Sequence, residues 1–137
     1  MPDFPSLNWL AVIAAAFAAF VLGWLWFGPL FGRRWQAEIG LTEEQIAAGN
    51  TPKVFAIAFA LNVFMSVAVA AFRVTIGITS PLMSAGFGVC VAVSFVAPVL
   101  ATNYLFSHRT KTQLAIDAGY FVVMYAVIGL VQSLLGG

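Results

Sequence analysis

The stretch Leu7–Phe27, LNWLAVIAAAFAAFVLGWLWF, decides the fold. It carries no charged side chain, and as one helix it reaches about 30 Å, the thickness of a bilayer's hydrocarbon core. Three similar stretches follow at Pro52–Arg73, Pro81–Phe106 and Lys111–Leu135. Each runs for roughly 20–26 residues, or about 30–39 Å as helix, so each can cross, some with tilt. The longest connection, Gly32–Thr51, leaves almost nothing for an extramembrane domain. The expected fold is all-α: an integral membrane protein whose four transmembrane helices form a single domain over residues 1–137. A short interfacial or cytoplasmic helical loop joins helices one and two.

Composition agrees. Of the 137 residues 62% are hydrophobic and 8% charged, and the mean hydropathy is +0.99. A soluble domain is about half apolar and about a quarter charged, so a soluble fold is excluded, and so is a disordered chain. A net charge of +1 excludes a basic nucleic-acid footprint, and no nucleic-acid partner is expected. One cysteine, Cys90, and one histidine, His108, make neither a disulfide framework nor a metal cluster. The chain also lacks a Gly-rich phosphate loop and a nucleophile–base pair, so no enzyme and no cofactor are expected.

The boundaries carry their own punctuation. Ser6 is placed to cap the first helix. Thr51-Pro52 and Ser80-Pro81 each set a capping hydroxyl before a proline whose missing N–H costs nothing at the first helical position. Thr110 with Gln113 reads as a capping box opening the fourth helix. Thr42 with Gln45 opens a short helix, about Glu43 to Ala48, stopped near Gly49. Gly28-Pro29 ends or kinks the first helix. Leu30 to Ile39 then lies along the interface, Phe31 and Trp35 in lipid and Arg33, Arg34 and Glu38 toward water.

Orientation follows from the basic residues. Arg33, Arg34, Lys53, Arg109 and Lys111 flank the two connections on one side, against Arg73 alone on the other. In a bacterial inner membrane this sets both termini on the non-cytoplasmic side. The first stretch is not expected to be a cleaved signal peptide: its N-region has an acid and no Lys or Arg, and its apolar run is too long. A weak echo links Leu30–Arg34 with Leu105–Arg109 and Thr42–Ala47 with Thr110–Ala115. Capping and interface chemistry alone select such residues, so no duplication is inferred.

All four tryptophans belong to the first helix and its exit. Trp9 and Trp26 lie about 26 Å apart along a helix, close to the separation of the two interfaces. With Trp35 they read as interface anchors rather than as a stacking platform for a ligand. Ala11, Ala15, Ala19 and Gly23, spaced by four, form a small-residue stripe and hence a helix-packing face. Sequence leaves open whether it meets a helix of the same chain or of another copy.

On the second helix Ala58, Asn62, Ser66 and Arg73 fall within a narrow arc, with Asn62 near mid-membrane and Arg73 at the outer end, snorkelling to water. Asp117 is the only carboxylate within a span, about one and a half turns into the fourth helix. Asn62, Asn103, Asp117 and Tyr120 make a candidate polar site facing the cytoplasm. They serve equally as a latch between helices three and four. The latch is favoured, because a proton or cation relay sits deeper. Pro98 kinks the third helix and frees the carbonyl of Ser94. His108 reads as solvated and Cys90 as packing.

These residues also carry a resemblance. Asn8–Val12, the run Gly23-Trp24-Leu25-Trp26-Phe27-Gly28-Pro29-Leu30-Phe31-Gly32-Arg33-Arg34-Trp35, and Gly40–Glu44 resemble the first half of a bacterial small-membrane-protein family catalogued as domain of unknown function 1761. Thr102–Phe106 with Asp117–Tyr120 is similar to its second half. The resemblance implies a short four-helix membrane protein and brings no activity, substrate or cofactor.

The expected function is that of a small non-enzymatic inner-membrane protein acting through helix–helix assembly. Its partners are the lipid bilayer and either further copies of itself or other membrane-protein subunits, to which it is accessory. The alternative is an oligomeric transporter or channel for a small solute or ion, using the polar residues above. In length the chain resembles the small multidrug exporters, but its first helix lacks their buried glutamate.

Overall fold

In a computed structural model, residues 4–42, 44–45, 48–49 and 51–136 are described. The chain is helical, with no strand among the described residues, and four of its helical stretches are long and apolar enough to cross a membrane: Trp9–Leu30, Pro52–Ile76, Pro81–Phe106 and Lys111–Leu134. The spans are built from α1 (Trp9–Leu25), α3 (Thr51–Ile76), α4 (Pro81–Val91) with α5 (Ala97–Phe106), and α6 (Lys111–Leu134), while α2 (Gly32–Ile39) lies in the connection after the first span.

The start of α1 corrects one expectation. Asn8, not Ser6, is the cap: its side chain accepts from the Ala11 N–H at 3.1 Å, while Ser6 ends a short 3-10 turn. The cause is Leu7, which is buried against Val12 and Ala70. An apolar residue before the cap, packed on the fourth helical residue, fixes where the chain enters the helix.

Pro29 and Pro98, the prolines inside the odd spans rather than at their start, each act through a widened turn. Trp26–Leu30, which contains Pro29, is a π turn in which the Phe31 N–H reaches back five residues to Trp26 O at 2.8 Å. A second π turn, Ala92–Val96, precedes Pro98, with the Ala97 N–H bonded to Ala92 O. The extra residue relieves the ring's clash with the preceding turn and divides the third span into α4 and α5.

After Pro29 the chain turns into α2, which ends at Gly40 in the left-handed conformation (φ 74°) that a glycine cap favours. The Thr42 and Gln45 pair is reciprocal, each backbone N–H bonded to the other's side chain at 2.9 and 3.1 Å. Of the expected Glu43–Ala48 helix, Glu44 and Gln45 are helical, and residues 43, 46 and 47 lie outside the described residues. Thr51 is already helical in α3, and Asn50 before it lies outside the described residues. Ser80 and Thr110 cap α4 and α6, accepting from Met83 N at 3.2 Å and Gln113 N at 3.0 Å.

Around these ends the bundle is arranged about α6, which packs most extensively on α4 and next on α1; α1 in turn packs on α3. The core holds Ala15, Ala19, Val69, Ala92, Tyr120, Met124, Tyr125 and Ile128. The stripe residues Ala11, Ala15 and Ala19 are completely buried in the chain itself. Their small side chains let α1 sit between α3 and α6, so this face is occupied within the chain. The outward surfaces remain apolar, with Phe17, Phe64, Phe95 and Phe106 exposed as lipid-facing side chains should be.

Candidate functional site

Polar side chains gather at two levels of the bundle. At the end that carries the basic residues, α5 and α6 are joined by the Tyr104 hydroxyl, which donates to Asp117 Oδ2. Asp117 is buried, and the Arg109 guanidinium lies 5.8 Å from the Tyr104 ring centroid. Thr110 Oγ1, besides capping α6, donates to Glu38 Oε2 of α2 at 2.5 Å, and Glu38 pairs with Arg34 at 3.3 Å. The connection between the first two spans is thereby fastened to the start of α6.

The opposite end holds a deeper network spanning all four membrane-crossing segments. Ser66 Oγ on α3 donates to Val12 O on α1 at 2.8 Å. Gln132 Nε2 on α6 donates to Ser66 O and Ser66 Oγ, both at 2.8 Å. Arg73 Nε donates to Ser84 Oγ on α4 at 2.9 Å, and Arg73 Nη1 to Gln132 Oε1 at 3.3 Å. Arg73 is 1% exposed. The expectation that it snorkels to water is therefore wrong. Ser84, one turn into α4, and Gln132, near the end of α6, offer acceptors inside the bundle, and the guanidinium follows them inward rather than outward.

The sequence-derived polar quartet is divided. Asp117 and Tyr120 lie one turn apart on α6, but the Tyr120 hydroxyl donates to Ala19 O at 3.2 Å. Asn62 is buried on α3, and among the described residues its side chain makes no hydrogen bond. Asn103 is exposed on α5, where its carbonyl accepts from the Ser107 hydroxyl. With Pro98, Val99, Thr102 and Phe106 it lines an open groove of about 510 Å³ on the outer face of α5. Tyr104 is the partner that sequence reasoning missed for Asp117. The available signal was its place in the last turn of the third span, at the depth of Asp117.

Of the proposed anchors, Trp26 is more than a belt residue. Its indole N–H donates to Ile116 O at 3.0 Å, and its ring packs on Phe31. Trp9 donates to Phe4 O at 3.1 Å, and Trp35 packs edge-on against Phe27. Gly23, last of the stripe, sits under the Tyr120 hydroxyl, which an added Cβ would meet at 2.9 Å. No three His, Cys, Asp or Glu residues among those described are placed to hold a metal ion. His108 is an exposed loop residue with positive φ, and Cys90 is exposed on α4.

No curated protein and no solved structure matches the chain. A family model described as "Protein of unknown function (DUF1761)" matches residues 10–133, which takes in every membrane-crossing helix and both polar clusters. The chain belongs to that family.

Proposed function

We propose that this protein is a non-enzymatic subunit of the bacterial inner membrane that acts by assembling with further copies of itself or with other membrane proteins. Both termini lie on the non-cytoplasmic side. The observation that carries the reading is the third span. Only 17% of it is buried within the chain, against 33% for the fourth. Its outward face nevertheless bears the groove with the Asn103 amide beside the Pro98 kink, where the Thr102 hydroxyl is already bonded to Pro98 O at 2.9 Å. An amide side chain on an otherwise lipid-facing helix favours a protein neighbour, because hydrocarbon offers it no hydrogen bond. The alanine stripe is not the assembly surface, being consumed inside the chain. The orientation is supported by five basic residues at one end, while the lone arginine of the other is turned into the bundle.

The test is native mass spectrometry of the protein extracted from native membranes in mild detergent, with copper-catalysed crosslinking through the exposed Cys90. A discrete species of two or more chains, or a co-extracted subunit, is expected, weakened by Asn103→Leu. A strictly monomeric, partnerless chain overturns the reading. Labelling of terminal cysteines by a membrane-impermeant reagent in spheroplasts tests the orientation.

A further inference from the structure

We propose that the buried Arg73 network binds one small monovalent inorganic anion, of the chloride or bromide class, within the end of the bundle formed by Ser84 and Gln132.

Around Arg73 hydrogen-bond donors outnumber acceptors. A guanidinium has five N–H groups and no acceptor. Two are used, one by Ser84 Oγ and one by Gln132 Oε1. Three are not, and Nη2 is buried with no hydrogen-bond partner among the described residues. Ser84 Oγ accepts from Arg73, and its own proton reaches no acceptor among them. The neighbours have nothing to give in return. Both Nε2 protons of Gln132 are committed to Ser66, and Ser66 Oγ accepts from Gln132 and donates to Val12 O. The cluster is therefore rich in donors, poor in acceptors and positively charged.

Burial of such a charge is sustained when a counter-charge accompanies it. Among the described residues the acidic side chains, Glu38, Glu44 and Asp117, all belong to the opposite end of the bundle, on α2, in the loop after it and at the start of α6. The carbonyl ends of α3 and α6 lie on the Arg73 side and ease the charge, but a helix terminus carries only about half a charge. A water molecule would accept two of the spare protons and leave the charge in place. A halide accepts several donors from any direction and neutralises the site. Its size is set by enclosure: Arg73 is 1% exposed and Ser84 and Gln132 are fully buried, which leaves no room beside the guanidinium for a lipid headgroup or a bulky oxyanion. The bound anion ties α3, α4 and α6 together through Arg73 and Ser84. This inference is independent of the assembly reading, since it concerns the interior of a single chain.

The experiment uses the full chain in detergent, exchanged into sodium gluconate, with chloride or bromide replacing gluconate at constant ionic strength. The thermal midpoint of the wild type is expected to rise saturably by several degrees. Radiolabelled chloride should bind at one site per chain. Arg73→Gln abolishes both responses. Ser84→Ala, which keeps the charge and removes one donor, raises the apparent Kd several-fold and serves as the reading if Arg73→Gln does not fold. Equal midpoints in gluconate and chloride overturn the proposal and leave water as the occupant. A chloride response in Asp3→Asn that the wild type lacks also overturns it, assigning the counter-charge to Asp3. So does a chloride response of equal size in folded Arg73→Gln.

Discussion

Gly129 of α6 lies against the backbone carbonyl of Ser84 on α4, so closely that no side chain fits between them. The relationship is reciprocal: Gly88 of α4 lies against the carbonyl of Tyr125 on α6. Each glycine stands four residues after a carbonyl that the opposite glycine touches, so the two backbones meet at a crossing with near-symmetry. Without a hydrophobic force between helices in lipid, this close approach is what joins them. Ser84 serves twice, its carbonyl at the crossing and its hydroxyl on Arg73.

Substituting either glycine should therefore separate α4 from α6. Gly88→Ala and Gly129→Ala are each expected to destabilise the protein by about 1–3 kcal/mol or more, since backbone cannot yield as a flexible side chain does. Gly86→Ala, on the same helix but with open space where its Cβ would go, should be neutral or slightly stabilising. Unfolding of the purified protein in mixed micelles with increasing denaturing detergent measures all three. Equal effects at positions 86 and 88 would sink the crossing as the source of stability.

The latch between α5 and α6 gives a second prediction. Tyr104→Phe keeps the ring under Arg109 but leaves the buried Asp117 carboxylate without its donor, at a cost of about 1.5–3 kcal/mol. Asp117→Asn retains an acceptor oxygen and should cost less than Asp117→Leu, which strands the Tyr104 hydroxyl. A double-mutant cycle between the two positions reads the coupling directly. Additive losses would show that the hydrogen bond carries no energy.

Much of the architecture is local and was legible. Uninterrupted apolar composition sets the four spans, and Ser80 and Thr110 cap because a hydroxyl just before a helix has little else to bond. The arc of Asn62, Ser66 and Arg73 is a matter of helical period, and all three do face the bundle. What sequence withholds is the partner. Arg73 at a helix end reads as a snorkelling residue until Ser84 and Gln132, from two other helices, are seen beside it. Tyr104 and Asp117 meet only because Thr110 turns the chain back on itself. The spacing of Ser84 with Gly88 is a small-residue pair of the kind that packs in membranes, but nothing in it names Tyr125 and Gly129 as the opposing face.

The tryptophans separate into two kinds, and this is a third prediction. Trp24 is 64% exposed and makes no hydrogen bond or ring contact among the described residues, so Trp24→Phe should change stability by less than about 0.5 kcal/mol. Trp26→Phe loses the bond to Ile116 O and part of the packing on Phe31 and Tyr120, which should cost about 1–2 kcal/mol. The same detergent titration distinguishes them, and a Trp26→Phe protein as stable as Trp24→Phe would return Trp26 to the status of an interface anchor.

The network of Ser66 and Gln132 supplies the last prediction, and here two magnitudes compete. Interhelical hydrogen bonds in membrane proteins average only about 0.6 kcal/mol, because the separated helices find other partners in the bilayer. Ser66, however, is fully buried and bridges two helices at once, accepting from Gln132 and donating to Val12 O. Ser66→Ala leaves one Gln132 proton without that acceptor while the bond to Ser66 O survives, so the loss should stay near 1 kcal/mol. Gln132→Leu removes the acceptor of Arg73 Nη1 and leaves a buried cation with one fewer partner, so it should cost more, about 2–4 kcal/mol. The double variant should lose less than the sum of the singles, because both remove the same Gln132–Ser66 bond. Ser94→Ala, exposed on the third span, is the control and should be silent. If Ser66→Ala proves costlier than Gln132→Leu, the bond to α1, rather than support of Arg73, is what the network exists to make.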